Sequence, residues 1–184
     1  MIISKKAAEY PPDAAAKNAE GPVIVSIVID QDGLVSFAKE RQGFAVLGPS
    51  AIAAVNQWKF HPAIYQGKRV EIAADVVVDV QVPVRPEDSG RMLIDTDTAE
   101  AHLLSSPKPD YPGDVAITRI QGDVIVKCYV GTDGKVQKVK AISGHPMLTK
   151  LAETAASKAV YTPFTKDAVP TEAVTYAIEP VKPR

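Results

Sequence analysis

Val23-Ile24-Val25-Ser26-Ile27-Val28-Ile29-Asp30-Gln31-Asp32-Gly33-Leu34-Val35 and, 101 positions later, Val124-Ile125-Val126-Lys127-Cys128-Tyr129-Val130-Gly131-Thr132-Asp133-Gly134-Lys135-Val136 are two copies of one pattern. In each, a β-branched run meets Asp-Gly and then a second strand-like run. Asp-Gly between two such runs predicts a hairpin, because the turn needs positive φ that glycine supplies without steric cost. The same 101-residue offset relates Tyr10-Pro11 to Tyr111-Pro112, Gly21 to Gly122, Gly43 to Gly144, Leu47 to Leu148, Ala54 to Ala155 and Pro62 to Pro163. Turn residues and apolar residues keep one spacing with no gap, which indicates duplication of a folded unit.

Working outward from the hairpin gives the rest of the unit. Pro11-Pro12-Asp13 before Ala14-Ala15-Ala16 suggests a short helical turn that Gly21-Pro22 ends. After the hairpin, Leu47, Ala51, Ala54, Val55 and Trp58 recur at helical spacing, and the helix must end before Phe60-His61-Pro62. The counterpart helix carries Leu148, Leu151, Ala152, Ala155 and Ala159. A long last strand follows. Ile72, Ala74, Val76, Val78, Val80 and Val82 share one face, and Glu71, Ala73, Asp75, Val77, Asp79 and Gln81 the other. In the second copy Val174, Tyr176 and Ile178 alternate with Thr175, Ala177 and Glu179. Period-two alternation puts one face on a core and the other toward solvent.

The expected fold is therefore α+β: two tandem small units, each a three-stranded antiparallel sheet with one main helix packed on it, in the order β-β-α-β. The first unit is expected over residues 1–84 and the second over 107–184, joined by 85–106. In the join, Met92-Leu93-Ile94 suggests a short strand and Thr98 to Leu104 a short helix.

Composition is that of a globular protein, 46% hydrophobic and 23% charged, with a net charge of −1. That charge lacks the basic footprint of a nucleic-acid binder. No apolar run reaches the ~18–20 residues of a membrane helix. The N-terminus has no signal-peptide pattern, so the protein either stays where it is made or has lost a leader. Excess acidic residues fall in the join. Lys127, Lys135, Lys138 and Lys140 make the second hairpin basic, which reads first as a solvated strand face and second as a surface for an acidic partner.

Chemistry-bearing residues are sparse. His61, His102 and His145 are far apart, and Cys128 is the sole cysteine, in phase with Val124 and Val126 as a small core hydrophobe. No metal site, cofactor or catalytic constellation is expected. Asp30-x-Asp32-Gly33 matches the start of a calcium loop, but Arg41 stands where the closing Glu would be, so the turn reading holds. Carboxylates on the outward face of the last strand discourage edge aggregation. What remains is the strand edge itself, whose unpaired N–H and C=O groups can accept an extended peptide. The alternative is a structural pseudo-dimer or homodimer in which edges are covered by each other or by a second chain.

Tyr10-Pro11, Ala16, Gly21, Asp32-Gly33, Val35, Gly43, Leu47, Ala54-Val55, Trp58-Lys59-Phe60-His61-Pro62, Gly67 and the run from Val70 to Val82 resemble the C-terminal domain of the TonB family, the periplasmic end of bacterial energy transducers. The second copy keeps the turn residues but has Ala159 for Trp58, Tyr161 for Phe60 and Ala168 for Gly67, so it must pack differently there. The resemblance implies a periplasmic domain, not an enzyme, that captures an extended segment of an outer-membrane receptor along its last strand. The candidate edge residues are Val76, Val77, Val78, Asp79, Val80 and Gln81, with Ala177, Ile178 and Glu179 in the second copy; Tyr10 and Trp58 are assigned to packing. Energy transduction would need a membrane anchor and a Pro-rich spacer that this chain does not carry. The expected role is thus a soluble periplasmic binding module for a peptide or partner protein, linked to outer-membrane transport, with the first unit as the binding copy.

Overall fold

The computed structural model describes residues 2–111 and 120–182, so Pro112 of the repeat lies outside the described residues. The chain divides into two compact units, Met1–Pro83 and Val84–Arg184.

In the first unit, β1 (Ile2–Ser4) is followed by a 3-10 turn at Pro12–Ala14, then β2 (Val23–Ile29), β3 (Val35–Gln42) and α1 (Gly48–Val55). After these come β4 (Lys59–Phe60), β5 (Ala63–Tyr65), β6 (Lys68–Val70) and β7 (Ile72–Val78). The main sheet is antiparallel in the order β3-β2-β7. Val23, Val25 and Ile27 lie opposite Val78, Val76 and Ala74, so their side chains share one face. Helix α1 covers that face with Ala51, Ala54 and Val55, and Leu47 just before the helix joins them, all buried. Trp58, just past the helix, is 1% exposed and donates its Nε1–H to the Lys6 carbonyl at 2.8 Å. Tyr10 packs against the same core and donates its hydroxyl to the Ala19 carbonyl at 2.8 Å. Both residues hold the N-terminal segment to the unit.

The second unit repeats this plan with β10 (Gly122–Val130), β11 (Val136–Ser143), α3 (Pro146–Ala156), β12 (Val160–Tyr161), β13 (Thr165–Lys166), β14 (Val169–Pro170) and β15 (Ala173–Val181). Even the irregularities recur. The first hairpin shifts register at Ile24/Val25 and Val28/Ile29, and the second at Ile125/Val126 and Tyr129/Val130.

Residues 85–106, expected as a join, belong to the second compact unit. They supply a 3-10 turn at Pro86–Asp88, β8 (Met92–Leu93), α2 (Thr96–His102) and β9 (Leu103–Ser105). Asp95 caps α2, accepting the Thr98 N–H at 2.9 Å. Met92, Ile94 and Ala99 pack with Val130, Ala159, Tyr161, Phe164 and Ala173. The pairing of β9 with β12, Leu103 opposite Tyr161, repeats that of β1 with β4, Ile2 opposite Phe60. The repeat therefore starts several residues before 107.

Lys127 corrects the expectation of a solvated strand face. It is 1% exposed, with Nζ 2.6 Å from Asp88 Oδ2. A buried ammonium needs such a partner, and the acidic join supplies it. Lys135, Lys138 and Lys140 are exposed.

The Asp-Gly turn is held from two directions. Asp30 Oδ1 accepts the N–H of Asp32 and of Leu34, each at 2.9 Å. Gly33 has φ +83° and receives the Phe60 N–H on its carbonyl at 2.9 Å. A Cβ at Gly33 would sit 2.0 Å from the Phe60 carbonyl oxygen, and one at Gly134 2.0 Å from that of Tyr161. Gly67, by contrast, has φ +74° with nothing within 4 Å. Its counterpart Ala168 adopts φ +63°.

Gly33→Ala is accordingly expected to destabilise the first unit by about 3 kcal/mol or more, combining left-handed strain with a main-chain clash. Gly67→Ala should cost about 1 kcal/mol or less, since lost unfolded-state entropy offsets part of the strain. Trp58 is the sole tryptophan, so its fluorescence during urea unfolding reports the first unit alone. Equal costs for the two variants would contradict the close-approach argument.

Candidate functional site

Strand β7 is an edge of its sheet, and the residues predicted from sequence divide along it. Val76, Val77 and Val78 lie within β7 and pair with Val25, Ile24 and Val23 on one side. Asp79, Val80 and Gln81 lie beyond it and are engaged by the N-terminal segment. Ala8 bridges Val80 in parallel, donating its N–H to the Asp79 carbonyl at 3.2 Å and accepting the Gln81 N–H at 3.0 Å. Lys5 Nζ lies 3.9 Å from Asp79 Oδ2.

Those bonds fix which backbone groups face outward. Backbone direction alternates along a strand. With Asp79 and Gln81 directed toward Ala8, the N–H and C=O groups of Val77, Asp75 and Ala73 face the same open side. No third strand pairs with β7 there among the described residues. The outward side chains are partly tied down: Asp75 Oδ2 receives Arg41 at 2.6 Å.

In the second unit Ala177, Ile178 and Glu179 lie in β15, opposite Val126, Ile125 and Val124 of β10. On its other side β15 carries β8 in parallel at Ala173 and Val174. The equivalent edge is thus partly occupied.

The second core also holds polar groups that the sequence reading did not gather. At the 101-residue offset Ile27 becomes Cys128, Phe60 becomes Tyr161, Ala74 becomes Thr175 and Val78 becomes Glu179. Cys128 lies opposite Thr175 and Val124 opposite Glu179, so these residues face α3 along with Val181. Glu179 is 6% exposed and is an exception to the expected outward carboxylates. Val174, Tyr176 and Ile178 look more apolar in sequence, which hid the true phase of β15. Thr175 Oγ1 is buried with no hydrogen-bond partner among the described residues.

Burial raises the Glu179 carboxyl above the usual carboxylate range, a hydrogen bond with Ser106 pulling the other way. Burial, reinforced by Glu179, pushes the Cys128 thiol up to about 12. The Tyr161 hydroxyl is likewise raised, by burial first and then by Cys128 and Glu179. A thiol so protonated is no nucleophile at neutral pH. The group holds no catalytic pair.

Because the folded-state affinity of Glu179 for its proton exceeds the unfolded one, its full contribution to stability is present below the unfolded carboxylate pKa. It is lost as pH rises through the raised folded value. Glu179→Gln is expected to flatten that dependence and to stabilise the second unit at neutral pH. Urea unfolding followed by amide signals of β10 between pH 4 and 8 measures it; an unchanged pH slope in the variant would assign the dependence elsewhere.

Among the described residues no group of three or more His, Cys, Asp or Glu could hold a metal ion, and no helix is long and apolar enough to cross a membrane. No curated protein matches the sequence. The family model of the Gram-negative bacterial TonB protein C-terminal matches residues 6–81 and, a second time, residues 107–179. Domains of this family are periplasmic, non-catalytic, and couple energy to outer-membrane receptors. Two matched segments over one repeated sheet-and-helix plan place the chain in the TonB C-terminal family, as a tandem pair of its domains.

Proposed function

We propose that the chain is a periplasmic binding module that captures an extended segment of an outer-membrane receptor, or of a similar partner protein, by adding it as a strand to β7. The observation that carries this reading is the open side of β7, toward which the backbone groups of Ala73, Asp75 and Val77 are directed. Such groups offer main-chain hydrogen bonds in strand register, so the partner needs an extended backbone more than a fixed sequence. Each bond contributes only about 0.5–1.5 kcal/mol net. Several consecutive pairs must therefore form for useful affinity.

Three features support the first unit as the capturing copy. It keeps Trp58, Phe60 and Gly67 of the family pattern. Its sheet is backed by a buried apolar cluster in which Val78 holds the place that Glu179 takes in the second unit. The Ala8 bridge already uses the edge at Asp79 and Gln81, so an incoming strand has a defined end at which to stop. The candidate contact residues are then Val76, Val77 and Val78 with their neighbours upstream, while Asp79, Val80 and Gln81 become available only if the N-terminal segment yields.

A synthetic peptide from the periplasm-facing N-terminal segment of an outer-membrane receptor, titrated against isotopically labelled protein, tests the reading. Amide shifts should centre on Ala73, Asp75 and Val77. Val77→Pro removes one outward N–H without touching the ladder to β2, and should weaken binding by roughly tenfold, about 1.4 kcal/mol. Amides of β7 already protected from exchange without peptide would favour the structural reading instead, the pseudo-dimer if the species has the monomer mass and the homodimer if it has twice that mass.

A further inference from the structure

The second unit's last strand is already augmented. Met92 lies opposite Ala173 and Leu93 opposite Val174 in parallel. The Met92 N–H donates to the Glu172 carbonyl and the Ile94 N–H to the Val174 carbonyl, each at 2.9 Å. Donors at alternate residues of an extended segment, bonded to an edge strand, are the signature of strand addition. We propose that residues 86–95 are a displaceable strap: the chain's own segment occupies a strand-addition site on β15 that would otherwise accept an extended peptide from a partner.

The strap shows what such a site selects. Met92 and Ile94 pack on the cluster containing Ala159, Tyr161, Phe164 and Ala173, while Leu93, between them, is 46% exposed. Alternate residues therefore enter the core and the one between does not, as strand geometry requires. Four residues before Met92, Asp88 reaches Lys127 at 2.6 Å, their side chains 4% and 1% exposed. Arg91 Nε lies 3.0 Å from Glu172 Oε2. The ligand class is thus an extended peptide with apolar residues two apart and a carboxylate four residues before the first of them.

The strap is also shaped to leave. Its paired portion is two residues long, lying between a 3-10 turn at Pro86–Asp88 and helix α2. Short elements with few main-chain bonds open at lower free energy than the central strands they cover. The buried Lys127–Asp88 pair acts as the latch, because the segment can leave only by withdrawing the Asp88 carboxylate from a desolvated ion pair with the Lys127 ammonium charge. An acidic competitor can relieve that charge by taking the place of Asp88. The segment thereby keeps the second unit closed to peptides that lack the carboxylate.

Hydrogen exchange on the full chain decides whether the strap moves. The amides of Met92 and Ile94 should exchange together, through an opening at least tenfold more frequent than that of Val126 and Cys128 in β10. Asp88→Asn should raise the exchange of Met92 and Ile94 relative to Val126 and Cys128 by a further tenfold. A synthetic peptide of residues 86–95 should bind the Ile94→Pro variant, shifting the amides of Val174 and Tyr176, and bind the unaltered chain at least tenfold more weakly. Exchange of Met92 and Ile94 only together with β10 would overturn the proposal. So would an unchanged exchange ratio in Asp88→Asn, or a folded Ile94→Pro variant that ignores the peptide. Where Ile94→Pro does not fold, the two exchange measurements decide alone. No readout involves β7, so this inference and the capture of a partner by the first unit stand or fall separately.

Discussion

Each unit depends on one close approach, that of the hairpin glycine to the backbone just after the helix. The Phe60 N–H reaches the Gly33 carbonyl at 2.9 Å and the Tyr161 N–H that of Gly134 at 2.8 Å. This contact carries the chain from the end of the helix back to the start of the sheet. The Trp or Ala two residues earlier and the Phe or Tyr at the contact are thereby delivered to the core. It also closes the route of β4 and β12, which pair with β1 and β9. The helix can then lie only on the face of β2 or β10 that it covers, and the last strand must return along the free side of that central strand.

Within that shared frame the two cores have diverged. Val78 is wholly buried in an apolar cluster, while its counterpart Glu179 brings a carboxyl into the same place beside Cys128 and Tyr161. A buried carboxyl is tolerable when it stays protonated or finds a donor. The surrounding thiol and phenol are uncharged in the folded protein, and Ser106 supplies a hydrogen bond. The second unit compensates for its missing indole differently: Ala159 packs with Phe164 and Ala99, and Phe164 stacks at 5.1 Å from the His102 ring.

The edges have diverged as well. Just beyond the C-terminal end of β7, Val80 is bridged by Ala8. Strand β15 instead meets a two-residue strand at its N-terminal end, secured by a buried ion pair. Proline at 109, the counterpart of Ala8, lacks the N–H that Ala8 donates to Asp79, so the first unit's bridge cannot be copied in full. An edge strand left wholly bare invites aggregation, and each unit limits that exposure in its own way.

Much of this was legible in the sequence. The 101-residue offset, the Asp-Gly turns, the apolar faces of the helices and the alternation of Ile72 to Val82 gave the two sheet-and-helix units and their strand order, because these features arise from local periodicity and turn chemistry. Sequence also marked Val76 to Gln81 as a candidate edge; β7 ends at Val78, and Asp79 and Gln81 are bonded to Ala8. Sequence did not place residues 85–106, since a short apolar run flanked by charges looks like a join until Lys127 and the cluster around Phe164 are seen to need it. The phase of β15 was ambiguous for a related reason: Glu179 is polar by composition and buried by register. Which face of a strand meets a helix, and which segment lies beside an edge, are decided by pairing over long sequence separations. Local composition determines the elements; only tertiary packing determines what each edge has left to offer a partner.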